Sequence, residues 1–204
     1  MSNEKATAAV KQPKSSISID PQYIIRITGV LLAICVVVAL LLGVVNQITK
    51  PQIDAIEKAK KEAAMAQVLP ADEYISWEAA LPQNVTGLYL ANVNSSGIGW
   101  VVETTASGSQ GPITMMVGVD PAGKVTGVSI VSHSETPNIG TKVVADQSVL
   151  DRFTGMSHEG GEITVNSGSN RFDGISGATV SSRGVTAGVN TALDAVADLL
   201  VKEG

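Results

Sequence analysis

The stretch that decides the fold is Asp173–Gly204, DGISGATVSSRGVTAGVNTALDAVADLLVKEG. From Val185 onward its apolar residues, Val185, Val189, Leu193, Val196 and Leu200, recur at spacings of three and four. That period lays one apolar stripe along a helix, which must be buried against another surface. The helix is entered through a turn of small residues, Ser176-Gly-Ala-Thr179. A helix N-terminus carries unpaired N–H groups and the positive end of the helix dipole. Two readings of the turn stay open. A Ser or Thr simply caps the helix, or an anion such as a phosphate sits on it, with the hydroxyls of Ser176, Thr179, Ser181 and Ser182 and the cation of Arg183 nearby. The stretch is not a P-loop, since it lacks both the GxxxxG spacing and the Gly-Lys-Ser/Thr ending.

Upstream of the helix the pattern changes to strands. Leu88–Val93 and Ile98–Thr104 flank a Ser-Ser-Gly turn, and Ile113–Val119 and Val125–Val131 flank Asp120-Pro-Ala-Gly-Lys124, a hairpin signal. Gln147–Phe153 reads as a short helix, and Glu162–Val165 as a strand followed by a polar Ser/Asn/Gly loop. A run of strands with helices grouped around it predicts an α+β domain over residues 71–204, an antiparallel sheet with flanking helices.

Further upstream, Ile27–Val45 holds no charged residue. At about 1.5 Å per residue such a run crosses a hydrocarbon core of roughly 30 Å. It exceeds the usual apolar core of a signal peptide, and no Ala-x-Ala site follows. It predicts one uncleaved membrane helix over 23–46, preceded by a disordered tail at 1–22. Residues 47–70 then read as a stalk. Pro51 suits the first turn of a helix to Val68 with Thr49 as its cap, or the helix continues from the membrane span, and Pro70 ends it. Lys and Arg tie across the two flanks of the span. Because long C-terminal domains translocate largely regardless of charge, we expect the tail in the cytoplasm and 46–204 outside the cell membrane.

The 204 residues carry a net charge of −5, which argues against a nucleic-acid partner. Cys35 is the single cysteine, so the chain has no internal disulfide and no cysteine-rich metal site. His133 and His158 stand alone, without metal-ligand spacing. No residue reads as an acid, base or nucleophile acting on a substrate.

The segment DGISGAT, Asp173–Thr179, resembles the Asp-x-x-Ser/Thr-Gly-Ala-Thr signature of the FMN-binding domain family. A second stretch, HSETPNIGTKV from His133 to Val143, is similar to the His-x-Glu-Thr-Pro-Gly-Leu-Gly loop of two relatives in that family. These are the G subunit of the Rnf complex and the C subunit of the sodium-pumping quinone reductase. Asn138 and Ile139 stand where the family usually has Gly and Leu. The stalk ending EAAMAQVLP also looks like its counterpart there. The resemblance implies that a flavin transferase moves one FMN from FAD onto Thr179 as a phosphoester, with Asp173 serving recognition by that enzyme or turn geometry. It implies that Ser176, Gly177 and Ala178 shape the turn, and that Glu135, Thr136, Pro137 and Ile139 line the flavin ring. Lys142 and Arg183 either offset phosphate charge or are solvated surface charges. The function implied is a membrane-anchored electron-transfer subunit of an ion-translocating ferredoxin:NAD oxidoreductase, working beside other membrane subunits of the inner membrane. The quinone-reductase counterpart, a free-standing surface flavin reductase and an anchored binding module without redox chemistry are the alternatives.

Overall fold

The computed structural model describes residues 21–77 and 81–203, so the disordered tail expected over 1–22 lies outside the described residues except for Pro21 and Gln22, which are helical. The chain divides into two compact units, residues 1–53 and 54–204. Helix α1 runs without a break over Pro21–Val68. Its N-terminal part is apolar all round, with Leu31, Leu32, Leu40, Leu41 and Leu42 exposed. A helix surface of that kind belongs in lipid or against another apolar helix. Pro51 lies inside this helix rather than at the start of a new one, so Thr49 caps nothing. Proline removes one backbone bond, to the carbonyl of Gln47, and the helix continues past it.

The second unit is built on one antiparallel meander. Strands β1 (Glu73–Ser76), β2 (Val85–Val93), β3 (Ser96–Ser107), β4 (Pro112–Val119) and β5 (Val125–Ser132) lie in chain order. The β2–β3 turn is Asn94-Ser95, one residue earlier than the Ser-Ser-Gly reading. Both residues take positive φ, 51° and 64°, the backbone that matches a hairpin's twist. At the β4–β5 turn, Asp120 Oδ1 accepts from the N–H groups of Ala122 and Lys124, both at 2.9 Å. There follow α2 (Thr141–Val144), α3 (Gln147–Leu150) with a 3₁₀ turn at Asp151–Phe153, the parallel pair β6 (Thr164–Val165) and β7 (Arg171–Phe172), and α4 (Thr179–Glu203). The expected α+β class holds. The sequence patterns missed β1, α2 and β7, which are too short to show a period.

Both faces of the sheet are covered, which is why β3 and β4 are buried along most of their length. Val102, Met115 and Val117 point to one face, where Val185, Val189, Ala192 and Val196 of α4 pack on them. Leu200 falls off this stripe and is exposed. The helix comes close because it presents glycine. A Cβ at Gly188 would meet the Met115 side chain at 2.7 Å, and one at Gly184 would meet the Ser107 carbonyl at 2.6 Å. Val101 and Met116 point the other way, against Ala64, Met65 and Val68 at the end of α1. Here the carbonyls that a helix end leaves free are taken up by the domain. The Thr126 hydroxyl donates to Val68 O at 2.7 Å, and the Tyr74 hydroxyl donates to Leu69 O at 2.8 Å. Lys61 of the same helix forms an ion pair with the buried Glu103 at 2.7 Å. Each Val or Leu buried in these layers contributes about 1.5–3 kcal/mol.

Candidate functional site

The entrance of α4 is held from beneath. Phe172, the last residue of β7, is fully buried and stacks on Phe153 with ring centroids 4.1 Å apart. From there the chain is pinned at three successive residues. Arg152 donates to Asp173 O at 3.2 Å, Gly174 N–H donates to Asn166 Oδ1 at 2.9 Å, and Ile175 N–H donates to Ser182 Oγ at 3.2 Å. The Ala178 N–H closes a tight turn onto Ile175 O at 3.0 Å. Gly177 sits at the third position of that turn with φ +81°, as a type II turn demands. The turn ends with Ala178 buried and Thr179 exposed as the first residue of α4. Ala178 O accepts the first helical bond, from Ser182 N–H at 2.9 Å. Among the described residues, no acceptor meets the N–H groups of Thr179, Val180 and Ser181.

Beside this helix start lies the loop after β5. Its backbone folds tightly, with Ile139 N–H donating to Thr136 O at 3.2 Å and Asn138 N–H to Thr141 Oγ1 at 2.8 Å. Asn138 has φ +62°, a left-handed conformation that asparagine tolerates better than most residues. It therefore does the work of the glycine usual at this place in the resemblance. A cleft of about 280 Å³ opens between loop and helix. It is lined by Thr136, Ile139 and Gly140 on one side, by Gly177, Ala178, Thr179 and Val180 on the other, and by Ser109, Glu135 and Ser181 between them. The two stretches singled out in the sequence, 46 residues apart at Glu135 and Ser181, thus form one site.

The structure redistributes several of the expected roles. Glu135 reaches the cleft wall but is only 5% exposed, and both its carboxylate oxygens are paired with protein donors. Ser181 and Ser182 point inward, Ser181 donating to Glu135 and Ser182 accepting from the Ile175 N–H, and both are buried out of reach of an anion in the cleft. Pro137 and Ser176 are exposed on the turns just outside the lining. Asp173 pairs with Arg171 at 2.9 Å, both exposed, and lies outside the cleft. Lys142 does not line it either, and Arg183 lines two grooves on other sides of α4 instead. His158 is not isolated. It meets Asp194 at 3.2 Å and Asn190 at 3.1 Å, fastening its loop to α4. Sequence reasoning passed over Ser109, Asn166 and Val180. Only Val180, next to Thr179 at a helix entrance, had any signal to find it by.

Comparison with known proteins gives the family. Residues 108–194 match the FMN-binding domain, and residues 20–68 match the RnfG N-terminal region. The G subunit of the ion-translocating oxidoreductase complex of Haemophilus influenzae is 34% identical over 68% of this chain and 73% of its own. The chain belongs to the RnfG family. The G subunit of the Na(+)-translocating ferredoxin:NAD(+) oxidoreductase complex of Acetobacterium woodii is 29% identical to this chain over 92% of this chain and 99% of its own. The crystal structure of the C subunit of the Na(+)-translocating NADH-quinone reductase from Parabacteroides distasonis is 22% identical and covers 54% of this chain and 60% of that one, with a TM-score of 0.46. In this RnfG-family chain, the cleft and all its lining residues fall inside the FMN-binding domain match.

Proposed function

We propose that this RnfG-family chain is the membrane-anchored, FMN-carrying electron-transfer subunit of an ion-translocating ferredoxin:NAD oxidoreductase, and that its single FMN is joined by a phosphoester to Thr179. The observation that carries the reading is the exposed Thr179 at the mouth of the cleft, beside the free N–H groups of Val180 and Ser181. Those groups and the dipole of a 25-residue helix favour the single negative charge of a phosphodiester there. Ile139 and Val180 supply two exposed apolar side chains, one from each wall, suited to a flat ring, and Thr136 offers a polar edge. FMN, when bound, supplies the electron transfer. The protein supplies placement. Glu135 is the sole ionisable residue in the lining, and its carboxylate is already engaged. A site without a free acid or base suits a carrier rather than an enzyme acting on a substrate.

In this reading residues 23–46 span the inner membrane, 1–22 lie in the cytoplasm, 47–70 form the stalk and 71–204 work on the outer face beside other subunits. A phosphoester suits a domain with no flavin pool around it, because a dissociated cofactor would be lost. It also requires a flavin transferase. Coexpression with such a transferase tests the reading. A denatured gel band that fluoresces under ultraviolet light for the native sequence and stays dark for Thr179→Ala is expected, and a fluorescent Thr179→Ala band would refute it.

A further inference from the structure

Glu135 is placed like no other carboxylate among the described residues. Its Oε1 accepts from the Ser109 N–H, in the turn between β3 and β4, at 2.6 Å. Its Oε2 accepts from the Ser181 hydroxyl, in the first turn of α4, at 2.7 Å. Its own N–H donates to His133 Nδ1 at 3.3 Å, which sets the loop around it. The side chain lies between two glycines. A Cβ on Gly108 would strike Oε1, and a Cβ on Gly140 would strike Oε2 and come within 2.8 Å of the Ser181 oxygen. The carboxylate therefore occupies a slot with no spare volume, where it joins the β3–β4 turn, the loop after β5 and the start of α4.

We propose that Glu135 is a positioning residue for flavin attachment and for the flavin environment, acting through Ser181 and Ser109. It rests on the reading of Thr179 as the attachment site. Ser181 is two residues beyond Thr179 on the same helical turn, so fixing the Ser181 side chain fixes where the Thr179 hydroxyl stands relative to Thr136 and Ile139. The same carboxylate holds Ser109 as the floor of the cleft. A side chain that ends in two polar atoms meets a backbone N–H and a hydroxyl at once.

The test uses the full-length chain in detergent with purified flavin transferase and FAD. The rate of flavin attachment, the midpoint potential of the loaded protein and the unfolding temperature are read for each variant. Ser181→Ala removes one donor from a buried acceptor, and attachment should slow about three- to tenfold at temperatures where the variant is folded. Glu135→Ala should slow it further. Glu135→Gln keeps the shape, accepts from Ser109 with its oxygen and offers its amide to Ser181, so its rate should stay within about twofold of the native chain. The potential of loaded Ser181→Ala should move, and that of Glu135→Gln should rise, because it also loses a negative charge beside the ring. If Glu135→Ala does not fold, Ser181→Ala decides. Native rate and native potential in folded Ser181→Ala would overturn the proposal, even if its unfolding temperature fell. A native chain that takes up no flavin at Thr179 would overturn the parent reading instead, and is recognised because it fails before any variant is made.

Discussion

Replacing Lys61 by Met should destabilise the sheet domain by about 2 kcal/mol. Lys61 Nζ lies 2.7 and 3.0 Å from the two oxygens of Glu103, whose side chain is 4% exposed, while the lysine side chain is 39% exposed. Removing the cation strands a buried carboxylate on the inner surface of the sheet. Breaking a fully buried pair this way costs about 3–5 kcal/mol, and water reaching the open side where Lys61 emerges lowers the figure toward its floor or below. For a unit of this size, each kcal/mol shifts the melting temperature by about 2–4 °C, so a fall of roughly 4–8 °C is expected. The chain supplies its own probe. Trp77 and Trp100 are its only tryptophans, and their rings meet edge to face at 5.3 Å on the domain's sheet. Their fluorescence therefore reports the domain and not the N-terminal apolar part of α1. Lys61→Met combined with Glu103→Met should recover most of the loss, because two apolar side chains in the same place strand no charge. A single Lys61→Met variant melting within about 1 °C of the native chain would refute the argument.

Alkaline lability should follow from the same face. Glu103 raises the Lys61 pKa above its ordinary value, chiefly through their hydrogen bond, and burial raises those of Tyr74 and Tyr89. For Lys61 the stabilising contribution is complete below its unfolded value near 10 and is lost as pH rises through the raised one. The half-buried tyrosines act in the same direction, because their neutral forms are the ones the fold accommodates. Tryptophan fluorescence should therefore show stability falling above about pH 10. Gly118→Ala should cost about 1–3 kcal/mol in urea titration, since its Cβ would lie 2.7 Å from Val68 O at the end of α1. Gly177→Ala meets open space but keeps φ +81°, so it should cost about 1–2 kcal/mol through backbone strain alone and should slow flavin attachment by tilting the turn.

How much of this was legible beforehand divides by length scale. The period of α4 and the Asp120–Lys124 turn were readable because each encodes its structure locally, in a repeat or in a side chain that bonds its own backbone. The pairing of the Glu135 loop with the Thr179 turn came from resemblance, since nothing in either segment points to the other. The partners inside that pair were invisible. Whether Glu135 faces a ligand or a slot between Gly108 and Gly140 depends on the fold of the sheet that brings Gly108 there. Ser181 and Ser182 misled for a related reason. A serine in a first helical turn looks like an anion contact until the loop that takes its hydroxyl is seen. Pro51 left two readings open, because a proline at an apparent helix start looks the same in sequence as one tolerated within a long helix.

The central claim, that Thr179 carries the flavin, meets its most direct test in mass spectrometry of the chain produced with a flavin transferase and FAD. The intact mass should rise by one FMN less one water, and fragmentation should place the addition on Thr179 within the peptide containing Asp173–Arg183. An unmodified mass despite an active transferase, or the same addition mapped to another residue, would contradict it.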